Sequence, residues 1–389
     1  MKGNLLIAHG GGPTAVINAS LKGVIDEAKK YKDIDQILGA KYGVEGVLKE
    51  EFIDLGIQPQ FLVNLLSFSP ASAIGSCRRK LTEQDYPVIL SVFKKYNIRY
   101  FFYNGGNDSM DTCLKIANMA GDYDIKVIGI PKTIDNDLKY TDHCPGFGSA
   151  ARYVAVSTLE LYRDLAALPI HIIILEVMGR NSGWLAAAST LGKRKETDPP
   201  HLVYMPECPF IEEKFFEDVK YWNSKVKGVL IVVSEGLVGL DGKSITDIGM
   251  FDGFGHKIPG GVAKYLSNLL VTKLGINSRS EEPGLLGRVS VALQSPVDRE
   301  EANAIGSFSV KSAMEGKSGY MVAIKRVSNN PYKVQLELVP LDKIANRERK
   351  FPLDWINSKR NGIKPEFHEY CLPLIGEPLP NYVSFLSND

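Results

Sequence analysis

Short apolar runs that alternate with helix-like stretches are the feature that most limits how this chain can fold. Residues 5–8, 100–103 and 126–130 are such runs, and a segment with helical spacing follows the first, from about Thr14 to Lys30. Strands that are apolar along their whole length must be covered on both faces, so this pattern predicts a parallel sheet between helices. Ligands of such sheets bind beyond the carboxyl ends of the strands, so the loops after these runs are the expected site.

The same alternation returns in the middle of the chain. Residues 172–175 lead into Met178, Gly179 and Arg180, and residues 228–233 lead into a Ser-Glu-Gly loop. A chain of 389 residues is long enough for two domains. We therefore predict an α/β protein with two lobes, each a mainly parallel sheet sandwiched by helices, and expect the last 50 residues to wrap the surface.

Charge and cysteine content narrow the function classes. The chain carries 46 Lys and Arg against 45 Asp and Glu, a net charge of +1, which argues against a nucleic-acid partner. Its five cysteines are scattered and form no CxxC pair, so we expect no disulfide framework or zinc site but a reducing compartment. The apolar run before His9 is too short for a signal peptide or a membrane span, which predicts a cytoplasmic protein without a membrane partner.

Glycine-rich loops follow the first two runs. Residues 10–14 (Gly-Gly-Gly-Pro-Thr) could bring backbone N–H groups and a helix N-terminus to a phosphate, or could form a tight turn without a ligand. Residues 105–109 (Gly-Gly-Asn-Asp-Ser) could simply cap a helix through Asn107 or Ser109. Alternatively, Asp108 could hold a Mg²⁺ ion that bridges phosphate oxygens.

The third loop, residues 131–137 (Pro-Lys-Thr-Ile-Asp-Asn-Asp), is the most informative. Asp135 and Asp137 are two residues apart and can point to one side of an extended segment. One carboxylate could accept a proton from a substrate hydroxyl while the other fixes a sugar or a metal, and Lys132 offers a charge for a phosphate. Taken alone, a solvated acidic turn is the more frequent explanation of such a string.

Two later stretches fit an anionic sugar ligand. Arg180 follows a predicted buried strand, and Glu207 follows the apolar residues 202–205. An exposed ion pair for Arg180 and a helix-start acid for Glu207 are the simpler alternatives.

Together, these loops resemble the phosphofructokinases, over nearly the whole chain and in the order of that family. The Pro-x-Thr-Ile-Asp-Asn-Asp string is the most specific match. The matched motifs lie at residues 11–13, 75–78, 105–109, 131–137, 146–150, 178–180 and 206–207. The resemblance implies the family's fold and its reaction, in which a terminal phosphoryl group is transferred to the 1-hydroxyl of fructose 6-phosphate with Mg²⁺ as cofactor.

The resemblance also implies a role for each matched residue, with Asp135 as the base that takes the hydroxyl proton. The implied catalytic residues are Asp135, Thr133, Lys132 and Arg180, and the implied metal-binding residues are Asn107 and Asp108. The implied donor-binding residues are Gly11, Gly12, Arg78, Gly106, Asp108 and Lys132. The implied sugar-binding residues are Thr133, Asp135, Asp137, Met178, Gly179, Arg180, Glu207 and Arg288.

Family members build their active sites across subunit contacts, so the resemblance implies a homodimer or a homotetramer. It assigns the phosphoryl donor to a lobe of residues 1–146 with about 290–340. Fructose 6-phosphate is assigned to a lobe of residues 147–289 with about 341–389.

Two positions predict inorganic pyrophosphate as the donor. Family members that use ATP usually have glycine at the positions of Asp108 and Lys132. The Asp108 side chain would fill space that adenosine and the α-phosphate need and would repel that phosphate, whereas Lys132 would neutralise a small, highly charged donor. Transfer from pyrophosphate is close to balanced in free energy, so we expect a reversible reaction in glycolysis and gluconeogenesis.

Several alternatives stay open at this point. The chain could be an ATP-dependent enzyme that tolerates Asp108, or it could use sedoheptulose 7-phosphate as acceptor. A non-catalytic regulatory subunit that binds sugar phosphate is disfavoured by the presence of Asp135, Asp137 and Arg180.

The chain departs from the family pattern at three places. Asn107 occupies the family's metal-binding position, and His171 the position of an arginine that clamps the sugar 6-phosphate. The family's Gln-Arg-Gly-Gly stretch is replaced by residues 290–293, so Arg288, Arg279 and His171 are the candidates for that clamp. The regulatory arginines of the allosteric ATP enzymes are not identifiable here, and we expect no control by nucleotide effectors.

Overall fold

The computed structural model describes residues 2–121, 123–168, 172–251, 257–259, 261–383 and 385. The chain divides into two compact units. Unit 1 contains Met1–Ser149 and Arg288–Arg349, and unit 2 contains Ala150–Gly287 and Lys350–Asp389. Each unit contains a mainly parallel sheet with helices, so the predicted α/β class is confirmed.

The strands of the described chain are β1 (Gly3–His9), β2 (Ile34–Ala40), β3 (Phe52–Asp54), β4 (Ile98–Gly105), β5 (Lys126–Pro131), β6 (Ile172–Val177), β7 (Leu202–Tyr204), β8 (Val229–Ser234), β9 (Asp247–Phe251), β10 (Lys257–Pro259), β11 (Ser278–Glu281), β12 (Tyr320–Asn329) and β13 (Tyr332–Pro340). The helices are α1 (Ile17–Ala28), α2 (Val44–Leu48), α3 (Gln60–Leu65), α4 (Asp85–Lys95), α5 (Asn107–Met119), α6 (Phe147–Ala167), α7 (Trp184–Ala188), α8 (Glu212–Asn223), α9 (Val262–Leu269), α10 (Leu286–Val289), α11 (Pro296–Met314), α12 (Leu341–Ile344) and α13 (Pro365–Cys371). In the described ranges, no helix combines the length and apolarity needed to cross a membrane.

The sheet of unit 1 brings the three predicted loops to one edge. Its strand order is β13-β12-β5-β4-β1-β2-β3. The five central strands, from β12 to β2, are parallel to one another, and the two edge strands β13 and β3 are antiparallel to them. Because β1 lies between β2 and β4, the direction of winding reverses at the β1–β4 pair. The loops after β1, β4 and β5 therefore meet where open α/β sheets bind their ligands.

Helix α1 packs so closely against α11 that only glycine fits at the crossing. A Cβ atom on Gly23 would lie 2.0 Å from the carbonyl oxygen of Asn303, and one on Gly306 would lie 2.1 Å from that of Ser20. Backbones can approach this closely only where side chains are missing. The contact ties the loop that leads into α1 to the late segment that contains α11.

The sheet of unit 2 is parallel throughout, with the strand order β11-β6-β8-β7. Its central strand β8 is buried at every position, as the continuous apolar run predicts. The carboxyl ends of β6, β7 and β8 lead into Met178, the Pro206-Glu207 pair and Glu235.

The expectation that the last 50 residues only wrap the surface is wrong. Phe367 and Cys371 are fully buried, and Phe351 is 2% exposed. Trp184, at the start of α7, contacts Phe351 and Tyr370 with ring centroids 4.9 Å and 5.4 Å apart. Aromatic rings bury a large apolar area, so residues 351–371 contribute to the core of unit 2.

Candidate active site

Hydrogen bonds connect the loop after β1 to residues 76 and 77. Gly11 has a φ of 74°, a left-handed conformation that favours glycine, and its N–H donates to the carbonyl of Cys77 at 2.9 Å. The Ser76 hydroxyl donates to the carbonyl of Gly11 at 2.7 Å. Hydrogen bonds therefore join the motif at residues 11–13 to the motif at residues 75–78, so the two segments lie side by side.

The buried side chain of Lys132 stabilises the loop after β1. Its side chain is 3% exposed, and its ammonium donates to the carbonyls of Gly10 at 2.8 Å and Gly12 at 2.7 Å. Its own backbone N–H donates to the carbonyl of Gly105, which joins the loops after β1, β4 and β5. Burial, and then the positive charge of Arg288, lower the pKa of Lys132 to about 7.

Two arginines complete a cationic cluster around Gly12. A Cβ atom on Gly12 would lie 2.7 Å from Nη1 of Arg288 and 3.6 Å from Nη2 of Arg78. A Cβ atom on Gly11 would lie 3.4 Å from Nζ of Lys132. Arg288, which the family resemblance assigned to the sugar, thus lies beside the same glycine, Gly12, as Arg78. Three cations facing one glycine loop form a site for a compact, highly charged anion.

The loop after β4 contains an oxygen that suits a metal ion or a metal-bound water. Asn107 begins α5, and its Nδ2 lies 3.5 Å from Oδ2 of Asp137. Its Oδ1 is buried and has no hydrogen-bond partner among the residues that the structure describes. A buried acceptor beside a carboxylate fits Mg²⁺, which takes one or two protein oxygens and keeps water or phosphate oxygens.

Asp108, in contrast, is exposed. In the described ranges, no three His, Cys, Asp or Glu side chains come together in a way that could hold a metal ion.

The loop after β5 is a turn, so the expectation that Asp135 and Asp137 lie on an extended segment is wrong. Asn136, between them, has a φ of 54°, and its Oδ1 accepts the N–H of Cys144 at 3.0 Å. Asparagine tolerates this left-handed conformation because its side chain can replace backbone hydrogen bonds. Thr133 stabilises the start of the turn by accepting the N–H of Asp135 on Oγ1 at 3.1 Å.

The two carboxylates nevertheless influence one another. Burial, and then the charges of Asp135 and Glu348, raise the pKa of Asp137 to about 7. The turn thus holds two acidic side chains close enough for the charge of Asp135 to affect the protonation of Asp137.

Glu207 is the best-defined candidate of unit 2. Its Oε1 accepts the N–H groups of Gly183 at 2.9 Å and Phe351 at 3.1 Å. Within the described part of the chain, its buried Oε2 has no partner, and burial raises the pKa of this carboxyl. The alternative of a helix-start acid is wrong, because α8 begins only at Glu212. The unused oxygen is available to a ligand hydroxyl.

The neighbouring loop of unit 2 follows β6. Gly179 has a φ of 134° and donates its N–H to Oε1 of Glu235 at 3.2 Å. Met178 and Arg180 flank it, and both are partly exposed. Arg279 is exposed on β11, and His171 lies outside the described residues.

Sequence reasoning missed Asp298. This buried carboxylate accepts the N–H groups of Gly146 at 2.8 Å and Ser149 at 2.9 Å, and the Ser149 hydroxyl at 2.6 Å. The Ser-Pro-x-Asp string at residues 295–298 is a helix-start signal, and Ser295 does cap α11. That signal does not reveal that Asp298 also fixes the motif at residues 146–150.

A buried histidine lies behind the turn and was also missed. Nδ1 of His143 bonds Oδ2 of Asp142 at 2.8 Å, and Nε2 bonds Oε2 of Glu301 at 2.6 Å. Asp142 also accepts from Arg326, and Glu301 accepts the hydroxyl of Tyr332 at 2.7 Å. Burial alone would lower the pKa of His143, but the charge of Glu301 and the hydrogen bond to Asp142 raise it to about 9.

The comparisons with known proteins identify the family. The Phosphofructokinase family model matches residues 4–313. This chain belongs to the phosphofructokinase family. A Halomonas elongata protein named pyrophosphate–fructose 6-phosphate 1-phosphotransferase is 41% identical, over 97% of this chain and 93% of that protein. An Alkalicoccus urumqiensis protein named sulfofructose kinase is 35% identical, over 91% of this chain and 92% of its own.

A solved structure agrees with this membership. The crystal structure of a pyrophosphate-dependent phosphofructokinase from Marinobacter aquaeolei matches with a TM-score of 0.89 at 38% identity. The match covers 98% of this chain and 94% of the other. The predicted phosphofructokinase fold and the predicted family are both confirmed.

The charged state of His143 leads to a prediction about stability and pH. The pKa of His143 rises from 6.5 to about 9 on folding. Its contribution to the free energy of unfolding is therefore complete below pH 6.5 and is lost as the pH passes 9. We expect His143→Gln to lower the thermal unfolding midpoint at pH 7, and the gap to the unsubstituted protein to narrow by pH 10. Unfolding scans of both proteins from pH 6 to 10 measure this, and a gap that stays constant would contradict it.

Proposed function

We propose that this chain reversibly transfers a phosphoryl group from pyrophosphate to the 1-hydroxyl of fructose 6-phosphate, giving fructose 1,6-bisphosphate and phosphate. The observation that carries the proposal is the cationic cluster of Lys132, Arg78 and Arg288 around Gly11 and Gly12. The names of the Halomonas elongata and Marinobacter aquaeolei relatives support the same donor.

Charge balance favours pyrophosphate at this cluster. Lys132 is buried and has a pKa of about 7 without an anion, so a bound anion would favour its charged form. Pyrophosphate presents its whole charge within a few ångströms, where Lys132, Arg78 and Arg288 can all reach it. We assign Arg288 to the donor because it lies beside Gly12. Asp108, exposed at the start of α5, is the residue that we expect to exclude an adenosine group.

Mg²⁺ belongs to the same proposal. Asn107, through its unused Oδ1, and Asp108 are the residues that would hold it, together with phosphate oxygens of the donor. When bound, the ion neutralises charge on the phosphoryl oxygens.

We assign proton transfer to Asp135. Phosphoryl transfer requires positioning of the reactants and removal of the proton of the attacking hydroxyl, with little further covalent chemistry from the protein. The Asp135 carboxylate accepts that proton, Thr133 and Lys132 contact the moving phosphoryl group, and Asp137 orients the sugar. The partner acid Asp137, with its raised pKa, can donate a hydrogen bond to a sugar oxygen at neutral pH.

In unit 2 we assign the sugar to Glu207, Met178, Gly179 and Arg180. The unused Oε2 of Glu207 would accept a sugar hydroxyl. Arg180 supplies positive charge for the sugar phosphate. A homodimer or homotetramer in the cytoplasm is part of the same proposal.

A second acceptor is favoured by one specific observation. The Alkalicoccus urumqiensis relative, which is 35% identical to this chain, is named sulfofructose kinase. We therefore include sulfofructose as a candidate acceptor beside fructose 6-phosphate. Comparing turnover of both sugars with a saturating donor decides between them.

The donor assignment predicts a clear preference. With fructose 6-phosphate as acceptor, we expect pyrophosphate to support turnover at least about 100-fold faster than ATP, since the cluster matches a compact donor. We expect Asp108→Gly combined with Lys132→Gly to weaken pyrophosphate use by about the same factor. Steady-state assays of both donors measure this, with exposed Lys80→Ala as the control.

Two results would overturn the donor assignment. One is unchanged pyrophosphate activity in the double variant at a normal unfolding midpoint. The other is an unsubstituted protein that turns over with ATP faster than with pyrophosphate.

The base assignment predicts a separate loss. Asp135→Ser is expected to reduce kcat by about 10³-fold with little change in thermal unfolding, because it removes the proton acceptor and its charge. Measurement of kcat and the unfolding midpoint tests this, with exposed Lys139→Ala in the same loop as a control. A fall of less than about tenfold removes Asp135 from this role.

A further inference from the structure

We propose that Arg349 is a positioning residue that sets the backbone of the turn at residues 136–142, and through it the Asp135 and Asp137 carboxylates. The inference rests on the proposed function of those two acids. Arg349 belongs to none of the motifs that identify the family.

The side chain of Arg349 fills the inside of the turn. Its Nε and Nη2 donate to the carbonyl of Asn136 at 3.1 Å and 2.8 Å. Its Nη1 donates to the carbonyl of Thr141 at 2.8 Å and also to that of Asp142. Its backbone N–H donates to the carbonyl of Asp137 at 2.6 Å. One residue therefore binds four carbonyl groups of the turn.

The shape of the turn explains why an arginine is needed there. Asn136 and Tyr140 both have left-handed conformations, with φ of 54° and 61°. The carbonyls of Asn136, Thr141 and Asp142 consequently face one point, where their dipoles repel one another unless a cation lies between them. Arginine offers five donors in a planar fork, whereas a lysine ammonium acts as a single point charge.

Arg349 is itself held by the segment that precedes it. Glu348 forms an antiparallel bridge with Leu138, and Asn346 donates from Nδ2 to Oδ1 of Asp111 on α5 at 2.9 Å. Leu341 and Ile344 of α12 are fully buried. The backbone that carries Arg349 is thus anchored to the core of unit 1, so the hydrogen bonds of its guanidinium restrain the position of the turn.

The consequence for catalysis is geometric. Asp135 immediately precedes Asn136, whose carbonyl accepts two of the guanidinium hydrogen bonds. A displacement of about 1 Å at a reacting group lowers rates about 100-fold. The four carbonyls that Arg349 binds all belong to the turn, whereas Lys132 binds the carbonyls of the glycine loop. Loss of Arg349 should therefore affect turnover and leave donor affinity nearly unchanged.

The test compares Arg349→Met and Arg349→Lys with the exposed neighbour Arg347→Met. We expect Arg349→Met to lower kcat about 100-fold while KM for pyrophosphate stays within about threefold. Arg349→Lys should recover little of this loss, because the three donors of an ammonium share one nitrogen and cannot span the carbonyls that Nε, Nη1 and Nη2 of arginine reach separately. For Arg349→Ala, added methylguanidinium should restore kcat in a saturable way, and methylammonium should not. Arg347→Met should behave as the unsubstituted protein.

Two kinetic results would overturn the proposal. One is an Arg349→Met protein that keeps kcat within about threefold of normal. The other is a kcat that falls only in proportion to the fraction of unfolded protein and is not restored by methylguanidinium, which is the behaviour of a structural residue.

Failure of the donor assignment is distinguishable from failure of this inference. If the unsubstituted protein uses ATP, the same variants are compared with ATP. Hydrogen exchange of the amides at residues 133–144 needs no turnover at all. Faster exchange confined to that segment in Arg349→Met supports the proposal, and unchanged exchange there contradicts it.

Discussion

The hydrogen bonds of the buried Lys132 ammonium are the interaction on which the glycine loop of unit 1 depends. Removing a charged group from water is unfavourable by several kcal/mol unless polar groups replace the lost hydration. Here the carbonyls of Gly10 and Gly12 do so, which also fixes the shape of the glycine loop. Burial and the nearby positive charges of Arg288 and Arg78 still lower the pKa of Lys132 to about 7. The protein therefore balances the charge of Lys132 only in part, and this is the physical basis for the proposed anionic ligand.

The residues that complete this site come from a late part of the chain. Arg288 reaches Gly12, Asp298 holds the N–H groups of Gly146 and Ser149, and Arg349 holds the turn. All three belong to the second segment of unit 1, residues 288–349. Residues 1–149 thus provide the glycine loops and the acidic turn, and residues 288–349 fix their conformation. Contacts of such sequence separation are what make the site depend on the complete fold of the unit.

The sequence predicts those parts of the structure that depend on local pattern. The runs at residues 5–8, 100–103 and 126–130 lie in β1, β4 and β5, and the loops that follow them meet at one edge. The turn at Asn136 was not predicted, because a single left-handed residue leaves no periodic signal. Arg349 was not predicted either, since its guanidinium binds backbone carbonyls 207 to 213 positions away, and backbone carbonyls are the same at every residue. Buried, long-range contacts to the main chain are invisible to motif reasoning.

Glu207 in unit 2 follows the same physical rule as Lys132, with the opposite sign. Lys132 is a buried cation bound to carbonyl groups, and Glu207 is a buried acid bound to the N–H groups of Gly183 and Phe351. Burial lowers the pKa of the first and raises that of the second, so each is held nearer to neutrality than it would be in water. Glu207 also has an unused oxygen toward which a ligand can donate. Each unit therefore holds, at the edge of its own sheet, an ionisable group whose charge is only partly balanced by the protein. This partial balance supports the proposed assignment of an anionic donor to unit 1 and of a sugar to unit 2.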